Sequence, residues 1–102
     1  LPMDKVARYG KSKAKPGRGG ELARMLLDAA ERMSSEPACE LYLVNRQADD
    51  PDTVWVTELW RSREDLDRVI AGLRGSADVA AVMEIVDDFE VIELELLGGV
   101  GA

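Results

Sequence analysis

The chain has 102 residues and a formal net charge of −7, enough length for one domain with a modest hydrophobic core. It contains no histidine and a single cysteine, Cys39, which excludes an internal disulfide and removes the usual protein ligands of zinc and haem. No apolar run approaches the roughly 18 residues of a membrane span. We therefore expect a cytoplasmic protein with no metal, no prosthetic group and no membrane contact.

Breaker residues and hydrophobic periodicity locate the first half of the secondary structure. A strand is predicted from about Lys5 to Lys15, and the glycine-rich loop KPGRGG ends it. Apolar residues then recur at helical spacing from Leu22 to Met33. The segments CELYLVNR and VWVTELW predict two further strands, and the turn QADDPDT between them predicts a hairpin.

Two helices and a last strand follow the hairpin. Ser62 and Asp65 have the spacing of a capping box and predict the start of a helix that ends at Gly75. A short helical segment begins at Ser76, and FEVIELELL predicts the final strand. The order β-α-β-β-α-α-β is typical of an α+β fold, the ferredoxin-like split βαβ arrangement with a four-stranded antiparallel sheet.

The predicted domain occupies residues 3–97, and a glycine-rich tail occupies residues 98–102. In this fold the helices cover one face of the sheet, so the other face should be polar. The third strand is apolar on both faces, with Trp60 on one and Trp55 on the other. We therefore predict a homodimer in which two sheets pack face to face, because large exposed apolar patches normally have an occupant. The predicted interface residues are Trp55, Leu59, Tyr42 and Val44.

Residues 14–66 carry a resemblance to a known family: AKPGRGGELARMLLDAAERMSSEPACELYLVNRQADDPDTVWVTELWRSREDL. The order and spacing of KPG, EPAC, DDPD and ELWRSREDL resemble the antibiotic biosynthesis monooxygenase family, and the likeness extends from about Val6 to Leu97. The resemblance implies a dimeric α+β barrel. It also implies an oxidoreductase that uses O₂, without a cofactor, to oxidise a quinol or a polycyclic aromatic polyketide.

Two branches of the family differ in how well this chain matches them. The haem-degrading branch uses a histidine and an asparagine in the first strand, and neither is present here. The polyketide branch is similar in having a tryptophan at the end of the third strand, which Trp60 matches. That branch also has polar residues at the positions of Asn45 and Val56, and the valine departs from the pattern.

A cofactor-free oxygenase must bind a flat aromatic ring, stabilise its anion and exclude water. We predict that Trp60 stacks on the ring, that Glu58 acts as the base, and that Asn45 or Arg8 hydrogen-bonds the developing oxyanion. This requires Asn45, Glu58 and Trp60 to share the helix-covered face. The predicted substrate-binding residues are Arg8, Leu41, Leu43, Val56, Val69 and Leu73.

Other interpretations of the same residues stay open. Trp60 also fits a core position, Glu58 an ion pair with Arg8 across the sheet, and Asn45 the start of the hairpin turn. RNA-binding modules of this fold interleave aromatic and basic residues on their central strands, a pattern missing here, so no nucleic-acid partner is expected. A non-catalytic dimer that binds a small ligand, or a stress-response protein of the same fold, is the main alternative.

Overall fold

The computed structural model describes residues 4–101, so the predicted domain start at residue 3 and the last tail residue, 102, lie outside the described residues. The elements are β1 (Val6–Ala14), α1 (Gly19–Met33), β2 (Cys39–Gln47), β3 (Asp50–Trp60), α2 (Arg63–Leu73), α3 (Ala77–Ile85) and β4 (Val86–Glu95). The strands form one antiparallel sheet in the order β2-β3-β1-β4. The predicted ferredoxin-like fold is confirmed.

The start of α1 depends on a carboxylate from the β2–β3 hairpin. Asp52 accepts hydrogen bonds from the backbone N–H groups of Gly17 and Gly19, at 3.1 and 3.0 Å. Gly17 has a φ of +81°, a conformation that glycine adopts at little cost. A Cβ at Gly19 would lie 2.1 Å from the carbonyl oxygen of Pro51. The loop glycines therefore let the helix approach the hairpin closely enough for Asp52 to satisfy its free N–H groups.

The start of α2 is fixed locally, as the capping-box pattern predicts. The Ser62 hydroxyl accepts from the backbone N–H of Asp65 at 3.1 Å and donates to the Asp65 carboxylate at 2.9 Å. Ser76 caps α3 in a similar way, accepting from the N–H groups of Asp78 and Val79. Among residues 4–101, none of the helices has the length and apolarity that a membrane crossing needs.

Within residues 4–101, two apolar clusters pack between the helices and the sheet. One contains Leu22 of α1 and Val54 of β3, and the other contains Trp60 of β3 and Leu66 of α2. Because alternate residues of a strand share a face, Glu58 lies on the same face as Val54 and Trp60 and comes between them. A charged residue therefore separates the two halves of the core.

The starts of β3 and β4 differ most from the sequence prediction. β3 already begins at Asp50, so the hairpin turn is shorter than the predicted QADDPDT segment, and the pairing shifts between Arg46 and Gln47. β4 begins at Val86, directly after α3, whereas the predicted segment FEVIELELL starts only at Phe89. The Lys15 N–H bonds to the Ile85 carbonyl at 2.8 Å, where the chain passes from α3 into the sheet.

The open face, which we define as the sheet face opposite the helices, carries a broad apolar surface. Its large exposed side chains are Tyr9, Leu41, Leu43, Ile92 and Leu94. Trp55 lies on the same face and is half-buried. Its indole N–H donates to Gln47 at 2.9 Å, and the Lys11 ammonium lies 5.4 Å from its ring centre. The predicted location of Trp55 and Leu59 on this face agrees with the strand register.

Candidate active site

A cavity of about 300 Å³ lies between the helices and the sheet. Most of its lining is apolar and comes from all three helices, including Met25 of α1, Val69 of α2 and Val82 of α3. The sheet contributes polar groups, which are the side chains of Arg8, Tyr42 and Glu58, together with the ring of Trp60. An apolar cavity with a few convergent polar groups is the usual form of a small-molecule site.

Tyr42, Glu58 and Arg8 form a row across three neighbouring strands, which we call the polar row. The strand register pairs Glu58 of β3 with Tyr42 of β2 on one side and with Arg8 of β1 on the other. Directly paired residues of antiparallel strands project from the same face at short range. The polar row therefore brings a phenol, a carboxylate and a guanidinium to the sheet side of the cavity.

Glu58 is the central group of the polar row. Its Oε1 accepts a 2.7 Å hydrogen bond from the indole N–H of Trp60 and lies 3.6 Å from Nη1 of Arg8. Burial raises the pKa of the Glu58 carboxyl above its ordinary value, and the Trp60 hydrogen bond and the Arg8 charge oppose that rise. A carboxylate of raised pKa beside a cavity is suited to accept a proton from a bound ligand.

Trp60 occupies a core position and also borders the cavity. Its side chain is only 2% exposed and packs in the core cluster with Leu66, yet it also lines the cavity. Its N–H group is directed at Glu58, so the indole holds the carboxylate in place. The ring is thus a core side chain that contacts the cavity and orients the candidate base.

Arg8 has spare hydrogen-bonding capacity beside the cavity. Its Nε is buried, and no hydrogen-bond partner for it occurs among residues 4–101. The ion pair that the sequence suggested between Arg8 and Glu58 is present, at 3.6 Å. A guanidinium has five N–H donors, so this ion pair leaves Arg8 able to bind an additional acceptor oxygen.

Part of the cavity lining lies between α1 and α3. Arg32 of α1 and Asp78 of α3 approach each other to 3.9 Å there and both line the cavity. Val79 and Met83 of α3 also line it and are partly exposed. The helix side of the lining therefore includes an exposed ion pair next to apolar side chains.

Asn45 does not join this site, which corrects the sequence prediction. It pairs with Trp55 and lies on the open face, where its side-chain amide donates to the carbonyl oxygen of Trp55 at 3.3 Å and to the Thr57 hydroxyl at 3.4 Å. The predicted trio of Asn45, Glu58 and Trp60 is therefore divided between the two faces of the sheet.

The faces of β2 are also the reverse of the prediction. Leu41 and Leu43 pair with Leu59 and Thr57 on the open face, so they cannot line the cavity. Tyr42 and Val44, which were assigned to the dimer interface, lie on the helix-covered face. Both faces of β2 are apolar, so alternation alone could not decide its orientation. Tyr42 joins the site because it pairs with Glu58, and no local sequence pattern indicates that pairing.

Several other predicted residues do lie at or near the cavity. Arg8, Val69 and Leu73 line it, whereas Val56 is buried on the same sheet face without lining it. Within residues 4–101 no cluster of three or more cysteine, aspartate or glutamate side chains is arranged to hold a metal ion.

The sequence profile of the antibiotic biosynthesis monooxygenase family matches residues 6–69. The chain belongs to this family. The matched segment includes every member of the polar row as well as Trp60. The family assignment that the sequence motifs suggested is thereby confirmed.

Solved structures of the antibiotic biosynthesis monooxygenase family share the fold. A protein from Chloroflexus aurantiacus J-10-fl, provisionally named as such a monooxygenase, is 30% identical, with 95% of this chain and 97% of that chain covered and a TM-score of 0.80. A protein from Deinococcus radiodurans with the same provisional name is 23% identical, with coverages of 95% and 97% and a TM-score of 0.82.

A more distant structure is a variant of SnoaB, a cofactor-independent oxygenase from Streptomyces nogalater. It is 13% identical, covers 97% of this chain and 99% of its own, and has a TM-score of 0.83. At this identity the likeness concerns the fold. No protein of curated function matches the chain significantly.

Proposed function

We propose that the protein is a cofactor-independent monooxygenase that oxidises a small phenol or quinol with O₂. The observation that carries this proposal is Glu58, a largely buried carboxylate of raised pKa that lies beside Arg8 at an apolar cavity. Glu58 is the base that removes the substrate's proton, and Arg8 stabilises the anion that results. The fold shared with SnoaB, a cofactor-independent oxygenase, supports the same reaction class.

The size of the cavity limits the substrate. A volume of about 300 Å³ lies at the lower end of the roughly 300–1,000 Å³ typical of ligand pockets. One or two fused aromatic rings fit this volume better than an extended polyketide does. The proposed substrate is therefore a compact phenol or quinol, and a role in antibiotic biosynthesis would concern a small aromatic unit.

The proposed reaction converts a phenol into a quinone. Glu58 accepts the hydroxyl proton, and the phenolate transfers one electron to O₂. The phenoxyl radical and superoxide then combine, forming a C–O bond at the ring carbon opposite the hydroxyl. The peroxide regains the proton from Glu58, and the O–O bond breaks as water leaves with the hydrogen of that carbon. The ring loses four electrons to O₂. One oxygen atom of O₂ becomes the new carbonyl oxygen of the quinone, and the other leaves as water.

The proposed assembly is a cytoplasmic homodimer that packs the two open faces together. The exposed apolar side chains of that face, such as Leu43 and Ile92, support this arrangement. Removing apolar surface from water stabilises an interface by about 25 cal/mol per Å². Covering the open face leaves the cavity, which lies on the opposite side of the sheet, outside the interface.

The test is O₂ consumption by the purified protein with a panel of one-ring and two-ring phenols and quinols. We expect one O₂ consumed per substrate, no loss of rate with a metal chelator, and little or no consumption by Glu58→Gln. Equal rates for Glu58→Gln and the wild type would contradict the role of Glu58. Stoichiometric metal or flavin in the active protein would contradict the cofactor-independent mechanism.

A non-catalytic dimer that binds a small aromatic ligand is the second candidate. It is favoured by Val56, which stands where the family's polyketide branch has a polar residue, and by the location of Asn45 on the open face. Ligand binding to the cavity without O₂ consumption across the whole panel would support this alternative over the monooxygenase.

A further inference from the structure

We propose that Tyr42 contacts the substrate and donates its phenolic O–H to the substrate oxygen that becomes negatively charged. This inference rests on the proposed monooxygenase function and adds a residue to its site. It makes Tyr42 the neutral hydrogen-bond donor of the polar row, beside the base Glu58 and the cation Arg8.

The position of Tyr42 supports this role. It pairs with Glu58 across β2 and β3, lies on the helix-covered face and lines the cavity. Its ring is half-buried, and no described residue in 4–101 is hydrogen-bonded to its hydroxyl. A ligand oxygen between Tyr42 and Glu58 would be within reach of both side chains, because directly paired residues have Cβ atoms roughly 4.5–5.5 Å apart.

The chemistry of the polar row matches a phenol better than a hydrocarbon. A substrate hydroxyl donates its hydrogen to the Glu58 carboxylate while its oxygen accepts from Tyr42. After proton transfer the same oxygen is an anion, and the Tyr42 O–H becomes a stronger, charge-assisted donor. Burial and the charge of Glu58 raise the pKa of Tyr42 to about 12, so the phenol keeps its proton throughout the physiological range.

Anaerobic calorimetry with unreactive probes tests the contact without requiring turnover. The probes are 1-tetralone, whose ketone can only accept a hydrogen bond, and naphthalene, which has no oxygen. We expect Tyr42→Phe to weaken 1-tetralone binding three- to tenfold and to leave naphthalene binding unchanged, as the loss of one hydrogen bond predicts. Tyr9→Phe is the matched control, since Tyr9 lies on the open face, and it should bind both probes like the wild type.

An NMR measurement on the wild-type protein tests the same contact without relying on a correctly folded Tyr42→Phe variant. The chain has two tyrosines, so labelling with ¹³Cζ-tyrosine gives two resonances. We expect 1-tetralone to shift the Tyr42 resonance and to leave that of Tyr9 in place. Binding of 1-tetralone with equal affinity to the wild type and Tyr42→Phe, or with no Tyr42 shift, overturns this inference and leaves the monooxygenase proposal standing. No binding of either probe to the wild type overturns both.

Discussion

The indole N–H of Trp60 donates a 2.7 Å hydrogen bond to Oε1 of Glu58, two residues earlier on the same strand. Alternate residues of a strand project from one face, so this bond follows from the position of both residues on β3. It links the core to the candidate site, because Trp60 packs in a buried cluster while Glu58 lies at the cavity. The bond also favours the ionised carboxylate and opposes the effect of burial on its pKa.

Trp60→Phe should separate the packing role of the indole from its hydrogen bond. Phenylalanine keeps an aromatic ring in the core but removes the N–H donor, so the pKa of Glu58 should rise further. If Glu58 is the base, the pH at which the oxygenation rate rises should move upward in the variant. The pH dependence of kcat measures this shift, and an unchanged profile would contradict the positioning role. Trp60→Ala is less informative, because truncating a buried tryptophan typically costs about 3–5 kcal/mol of stability.

Glu58→Gln should change how stability depends on pH. The folded-state pKa of Glu58 lies above its ordinary value of 4.5, so the native protein binds this proton more tightly than the unfolded chain does. The free energy of unfolding should therefore contain a contribution that decreases as pH rises from about the ordinary value through the folded-state pKa. Denaturant titrations across this pH range should show a smaller decrease in the free energy of unfolding for Glu58→Gln than for the wild type. A decrease of the same size in both proteins would mean that burial does not raise this pKa.

Leu43→Glu should disrupt the proposed dimer. Leu43 is 50% exposed on the open face, and a carboxylate there would have to lose its hydration in a sheet-to-sheet interface. Leu27→Glu is the matched control, because Leu27 is 56% exposed on α1, away from that face. In sedimentation experiments we expect dimers for the wild type and Leu27→Glu, and monomers or aggregates for Leu43→Glu. A folded wild-type monomer at micromolar concentration would refute the proposed assembly.

Gly19→Ala should be far more harmful than Gly20→Ala. A Cβ at position 19 would lie 2.1 Å from the Pro51 carbonyl oxygen, so the hairpin and α1 would have to separate and weaken the contacts of Asp52. We expect Gly19→Ala to lower the free energy of unfolding by about 1–3 kcal/mol, the usual cost of overpacking. A Cβ at Gly20 meets nothing within 4 Å, and alanine there should stabilise α1 by up to about 1 kcal/mol. Thermal unfolding compares the two, and similar melting temperatures would contradict this account.

The sequence by itself determined the parts of this protein that depend on local spacing. Helical periodicity and the Ser62–Asp65 pattern fixed α2, because a capping box involves residues only three positions apart. The period of two along a strand placed Glu58 and Trp60 on one face, and the lack of histidine removed the commonest metal ligand. The motifs also sufficed to identify the family.

Only the tertiary structure decided which face of β2 meets the helices. Tyr42 and Val44 on one face and Leu41 and Leu43 on the other are all suited to burial, so composition favours neither orientation. The choice is made by long-range pairing with β3, including a shift in register between Cys39 and Leu41 that no local pattern announces. That pairing excludes Asn45 from the site and brings in Tyr42. A one-residue shift in strand register moves every side chain of the strand to the opposite face. For this reason the sequence predicted the contributions of β1 and β3 to the candidate site but not that of β2.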